Sequence, residues 1–168
     1  MKLVVNDANI LIDLVELQLL PHFFALEFEF LTTTLILEEL FEEQQDELKQ
    51  YIDEGILVCE EMTAQDIEAI KQIEQNKPKL SQQDCSAYYQ AQTKNGTLIT
   101  SDNTLRKFAQ STQIDVHGHL WVLDQMVAQQ TLSPFTASQK LSELCEVINT
   151  QLRLPQAECN SRHSAWNI

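Results

Sequence analysis

A chain of 168 residues fits one domain, and its 43% apolar and 21% charged residues suit a soluble globular protein with a proper core. Eleven Lys and Arg against 25 Asp and Glu leave a formal net charge of −14, which argues against strong nonspecific nucleic-acid binding, because phosphate affinity is normally supplied by basic side chains. Three glycines and four prolines exclude long low-complexity linkers, no apolar run approaches a membrane span, and the four cysteines never form a C-x-x-C pair of the kind a zinc site uses.

The first residues pass without a charged leader into Leu3-Val4-Val5, so a cytoplasmic location without membrane association is expected. Leu3-Val4-Val5 predicts a short buried strand that ends in the polar pair Asn6-Asp7. Apolar residues at helical spacing from Ile10 to Leu20 predict a helix stopped by Pro21. Glu27 to Leu31 alternates as a strand, and Thr34 is placed to cap a helix from Leu35 toward Gln44. A helix over Glu47–Asp53 ending near Gly55 and a strand through Ile56-Leu57-Val58 follow.

Thr63-Ala64-Gln65-Asp66 has the form of a capping box for the next helix. Ser81 caps another, which Asn95-Gly96 ends. Thr97 to Thr100 predicts a strand ending at Ser101-Asp102, then a helix to about Gln110 and a short strand near Ile114–Val116. Helices over Leu120–Ala128 and Pro134–Thr150 complete the ordered part, while the stretch from Pro155 lacks periodicity and is expected to be loosely held. Strands alternating with helices imply an α/β fold with a parallel sheet covered on both faces, residues 1–150 forming the domain and 151–168 a C-terminal tail. His117 and His119 read as loop or strand-end residues, and Phe23, Phe24, Phe28, Phe30, Tyr88 and Tyr89 mostly as packing.

In open parallel sheets, ligands bind beyond the carboxyl ends of the strands. Asp7 and Asp102 each follow a predicted strand there, although either alone would be an ordinary helix cap. Asp84 heads the stripe Asp84, Ala87, Tyr88, Ala91 at i, i+3, i+4, i+7, so it faces the core side of its helix as well as completing a cap with Ser81. In the predicted helix from Leu35, phasing sends Glu38 and Glu42 to solvent and leaves Glu39 and Glu43 as equal candidates on the flank. Clustered carboxylates resist ionising together unless a cation is present, and all-oxygen sites suit Mg²⁺ or Mn²⁺. Metal-assisted hydrolysis of a phosphodiester is the chemistry such a cluster serves. Arg106 and Lys107, just past Asp102, are the candidate phosphate contacts.

These segments resemble the PIN-domain family. Val4 to Ile12 is similar to its opening, with a strand that delivers Asp7 and a small polar residue, Asn9, two positions on. Leu37-Glu38-Glu39-Leu40 resembles its second acidic element and selects Glu39. Leu80 to Asp84 resembles the third, and Leu98-Ile99-Thr100-Ser101-Asp102, continuing to Arg106, the fourth. The ordered set runs from Leu3 to about Val127.

The resemblance implies a three-layer α/β/α sandwich with catalytic Asp7, Glu39, Asp84 and Asp102, of which the three Asp hold Mg²⁺ or Mn²⁺. It also implies an endoribonuclease, and for bacterial relatives a toxin paired with an antitoxin protein and a homodimer. The chain departs from the family's usual pattern in its length, its acidity and the polar Asn6. The alternative is a PIN-like binding module without catalysis. A phosphatase is disfavoured by Asn9, where a second Asp would stand, and by the lack of a glycine-rich phosphate loop.

Overall fold

The computed structural model describes residues 1–167. Strands β1 (Lys2–Asn6), β2 (Phe28–Thr33), β3 (Leu57–Glu60), β4 (Thr97–Ile99) and β5 (Val116–His117) form one parallel sheet in the order β3-β2-β1-β4-β5. Val4 is paired with Phe30 on one side, and Val5 with Leu98 on the other. The chain therefore steps outward from β1 to β3, then returns to the other side of β1 for β4. Because parallel crossovers are right-handed, the main helices that link β1 to β3 and those that link β3 to β5 fall on opposite faces.

On one face lie α1 (Ala8–Glu16), α2 (Leu20–Phe24) and α4 (Glu42–Asp53). On the other, α6 (Gln82–Lys94) crosses β1, β2 and β4, flanked by α5 (Ala64–Asn76) and α7 (Asn103–Ser111). The single turn α3 (Thr34–Leu37) leaves the end of β2 and packs on α6. Beyond β5, α8 (His119–Ala128) returns to pack on α2, α9 (Pro134–Glu143) packs on α8, and α10 (Gln156–Trp166) packs on α9. The result is the expected α/β/α sandwich. Val4, Val5, Ile10, Leu11, Leu98 and Ile99 are fully buried at its centre. Phe23, Phe24 and Phe30 pack ring against ring with centroids 4.8–5.2 Å apart, which is the packing role expected of them. Among the described residues no helix is long and apolar enough to cross a membrane.

The strong local signals end elements as predicted. Ser81 accepts the Asp84 N–H while Asp84 accepts the Ser81 N–H, and Thr63 and Asp66 make the same reciprocal pair. Asn95 takes the left-handed conformation, φ 53°, that closes α6. Gly96 is needed for closeness rather than for φ: a Cβ there would lie 2.6 Å from Leu3 Cδ2 and 3.2 Å from the Leu3 carbonyl oxygen. Gly96→Ala is accordingly expected to destabilise the protein by about 1–3 kcal/mol, the usual cost of overpacking, seen as a lower urea midpoint at unchanged m-value.

Three expectations are corrected. Pro21 does not stop a helix from Ile10 to Leu20: α1 ends at the Leu17 cap, Gln18 turns through φ 60°, and Pro21 sits in the first turn of the new helix α2, where its missing N–H costs nothing. The helix expected from Leu35 toward Gln44 is broken after one turn. Thr33, not Thr34, caps α3, and α4 restarts at Glu42 with the Gln44 side chain accepting the Phe41 N–H. Leu40 is buried, whereas Phe41, next to it, is 74% exposed. The stretch from Pro155, expected to be loose, forms α10 and buries Cys159 and Trp166.

Candidate active site

The sheet's change of direction lies between β1 and β4, and there the fold opens a crevice at the carboxyl ends of both strands. β1 delivers Asp7, only 2% exposed, as the N-cap of α1: one carboxylate oxygen accepts the Ala8 N–H at 2.8 Å, and the other accepts the Thr100 hydroxyl at 2.7 Å. β4 is followed directly by Thr100, whose oxygen also accepts the Asp102 N–H at 3.1 Å. Asp102 caps α7 by accepting the Leu105 N–H at 2.7 Å. α6 points its N-terminus at the same crevice and brings Asp84, which keeps its cap on Ser81 at 3.1 Å. The Thr33 hydroxyl shares a 2.9 Å hydrogen bond with Ser86 in the first turns of α6, so the end of β2 and the α3 turn that precedes Glu39 are anchored beside Asp84.

The four carboxylates act on one another. Burial, with the Asp84 and Glu39 carboxylates adding to it, pushes the Asp7 carboxyl up to about 7 against the opposing Thr100 and Ala8 hydrogen bonds. Glu39, at the exposed mouth, is also pushed up, by lost solvation and then by Asp84. Asp84 is raised by burial and, after its Ser81 bonds are offset, by Asp102. The structure therefore brings Asp7, Glu39, Asp84 and Asp102 into one mutually repelling group. Glu39, not Glu43, is the glutamate in it. Phasing had left the two equal because it assumed a helix that the chain breaks; Glu39 follows α3, while Glu43 lies exposed at the start of α4.

The two candidate phosphate contacts are separated. Arg106 lines a cavity with Thr100, Ser101 and Asn103, whereas Lys107 lines a different one with Lys77, Lys79 and Phe108. Lys94, ten residues along α6 from Asp84, is roughly 15 Å away at 1.5 Å per residue and pairs with Glu60 at 3.1 Å, so it adds no positive charge beside the carboxylates. Thr100 is the participant that sequence reasoning passed over. It was legible only as the Thr of Thr-x-Asp, because nothing local announces that its hydroxyl will reach across from β4 to β1.

The donor set suits a hard divalent cation. It offers carboxylate oxygens alone, and Asp84 Oδ1 and Asp102 Oδ2 have no hydrogen-bond partner among the described residues. Among those residues, no three His, Cys, Asp or Glu are grouped closely enough to hold a metal ion as they stand.

An open parallel sheet with an acidic crevice at its switch point defines the class of protein. The chain belongs to the PIN-domain family, whose model matches residues 3–167, so α10 falls within the family's span. That family generally includes nucleases. No curated protein matches the chain.

Proposed function

We propose that the protein is a Mg²⁺- or Mn²⁺-dependent endoribonuclease that hydrolyses RNA phosphodiester bonds in the Asp7–Glu39–Asp84–Asp102 crevice. The observation that supports this most is the buried Asp7 carboxyl, pushed up to about 7 among the like charges of Asp84 and Glu39. A fold gains nothing from such an arrangement unless a cation or a proton is to be held there.

Asp7, Asp84 and Asp102 would hold the ion, and three hydrogen bonds fix them: from Thr100 to Asp7, from Ser81 to Asp84 and from Leu105 to Asp102. A bound divalent cation supplies positive charge for phosphate oxygens and lowers the pKa of water. Glu39 differs from the other three in accepting no hydrogen bond among the described residues, so it is free to take the proton of the attacking water. Its raised carboxyl brings its basicity nearer to the working pH. The N-termini of α6 and α7 offset part of the carboxylate charge.

The test is cleavage of a single-stranded RNA with Mg²⁺ or Mn²⁺, and with EDTA, by wild type, Asp84→Asn and Asp102→Asn. Each variant is expected to lose activity by about a thousandfold or more, with the fold intact by circular dichroism. Metal binding without cleavage of any RNA would favour the non-catalytic binding module instead.

A further inference from the structure

Basic side chains are scarce in this chain, and where they go unpaired is informative. Lys2, Lys49, Lys94, Lys140 and Arg162 each pair with a carboxylate. Among the described residues Lys71, Lys77, Lys79 and Lys107 pair with none, and neither do Arg106 and Arg153, the two arginines without a carboxylate partner. They are far apart in sequence, yet they line one cavity of about 250 Å³. Its wall includes Thr100, Ser101 and Asn103, the residues that hold Asp7 and flank Asp102, so the cavity adjoins the acidic crevice.

Arg153 is held there at some cost. Arg153 has φ 52°, in the left-handed region that a non-glycine residue enters rarely. Its neighbours Leu152 and Leu154 pack on the core and fix its place. Arg106 donates through Nη2 to the Asn103 amide oxygen, a neutral partner that orients the guanidinium without cancelling its charge. Its Nε and Nη1 stay free. Two cationic residues lining one cavity repel unless an anion lies between them, and the planar fork of a guanidinium matches phosphate oxygens.

We propose that Arg106 and Arg153 form a phosphate-binding subsite that holds the RNA strand at a phosphate beside the scissile one. The proposal rests on the nuclease reading for the identity of the strand. It divides the basic residues around α7: Arg106 works with Arg153 from the C-terminal segment, while Lys107 faces the cavity of Lys77 and Lys79. The phosphate is an internal diester or the terminal group of the strand, and the two are separable.

The test is binding, not turnover. Metal-free full-length protein in EDTA is titrated with a fluorescent single-stranded RNA, with and without a 5′-phosphate. A second panel carries one neutral methylphosphonate linkage at a time. Arg106→Ala and Arg153→Ala are each expected to weaken binding about tenfold or more and to reduce the slope of log affinity against log salt by roughly 0.7. The double variant is expected to lose less than the product of the two effects, because the pair shares one group.

One methylphosphonate position should weaken wild type but leave the double variant unchanged; dependence on the 5′-phosphate instead would assign the terminal group. Arg153→Gly separates binding from folding, since it relaxes the backbone and should melt no lower than wild type while binding as poorly as Arg153→Ala. Lys71→Ala, an unpaired lysine outside both cavities, should bind normally. An Arg153→Ala protein with wild-type affinity and salt slope would overturn the subsite alone. Wild type that binds no RNA with or without metal would overturn the nuclease reading together with it.

Discussion

Asp7→Asn is expected to raise the melting temperature of the metal-free protein at pH 8 while abolishing cleavage. The sign follows from linkage. In the unfolded chain an Asp titrates near 3.9, whereas in the fold burial and then the neighbouring carboxylates push Asp7 up to about 7. A group whose folded value is raised contributes its stability in full below the unfolded value, where both states are protonated. That contribution is lost as pH rises from about 4 through about 7. Above that window the fold must carry a buried, repelled carboxylate, at a cost on the order of 4 kcal/mol.

Asn escapes the cost because it is neutral at every pH. Its oxygen can still accept the Ala8 N–H, and its amide can donate to the Thr100 oxygen, so both hydrogen bonds survive with one reversed. Wild type in EDTA should thus lose several degrees of melting temperature between pH 5 and pH 8, at roughly 2–4 °C per kcal/mol for a domain of this size. The variant should lose much less. Added Mg²⁺ or Mn²⁺ should restore wild type at pH 8 by mass action and leave Asp7→Asn unmoved. A wild-type melting temperature that holds steady or climbs over the same range would mean that Asp7 is not under this strain.

Which parts of this molecule were legible in its sequence depended on whether the deciding interaction was local. Asp7 and Asp102 could be placed because a strand that ends in Asp followed by a helix makes the same N-cap in most contexts, and the strand order then puts both at one edge. The Ser81–Asp84 and Thr63–Asp66 boxes close within three residues.

The break between α3 and α4 was hidden for the opposite reason. Leu35 to Phe41 carries an acceptable helical pattern with no glycine or proline. The chain turns there because burying Leu40 and capping Phe41 with Gln44 together outweigh one more turn of helix. His119 is a similar case. It read as a loop residue, but it starts α8 and is 5% exposed, with Nε2 2.8 Å from Asp13 of α1. Asn149 donates to that same Asp13 oxygen at 3.0 Å, joining three remote segments that no local pattern connects. Arg153 is of this kind too: the sequence offers it as a further basic candidate before Leu154-Pro155 but gives it no mechanism, and its position depends on the turn between α9 and α10.

Trp166→Ala is expected to cost about 3–5 kcal/mol, the range for truncating a buried Trp in a core. Aperiodicity past Pro155 suggested a loose end, because α10 is short and mostly exposed and places few residues inward. Those few are well held. Trp166 is 7% exposed and Cys159 6%, and both join the main core. Arg162 makes a two-pronged bond to Asp124 of α8 at 2.7 and 2.8 Å, and the Ser138 hydroxyl of α9 lies 2.7 Å from His163 Nδ1. The helix therefore clamps α8 and α9 from outside, with a buried aromatic at its far end. Because its first residues follow Arg153-Leu154-Pro155, α10 also fixes the wall of the arginine cavity. Urea denaturation of Trp166→Ala gives the stability loss directly. RNA binding by the folded fraction should weaken only in proportion to how far Arg153 is released. A variant within about 1 kcal/mol of wild type, below the range expected for a buried Trp, would show that α10 lies on the domain without supporting it.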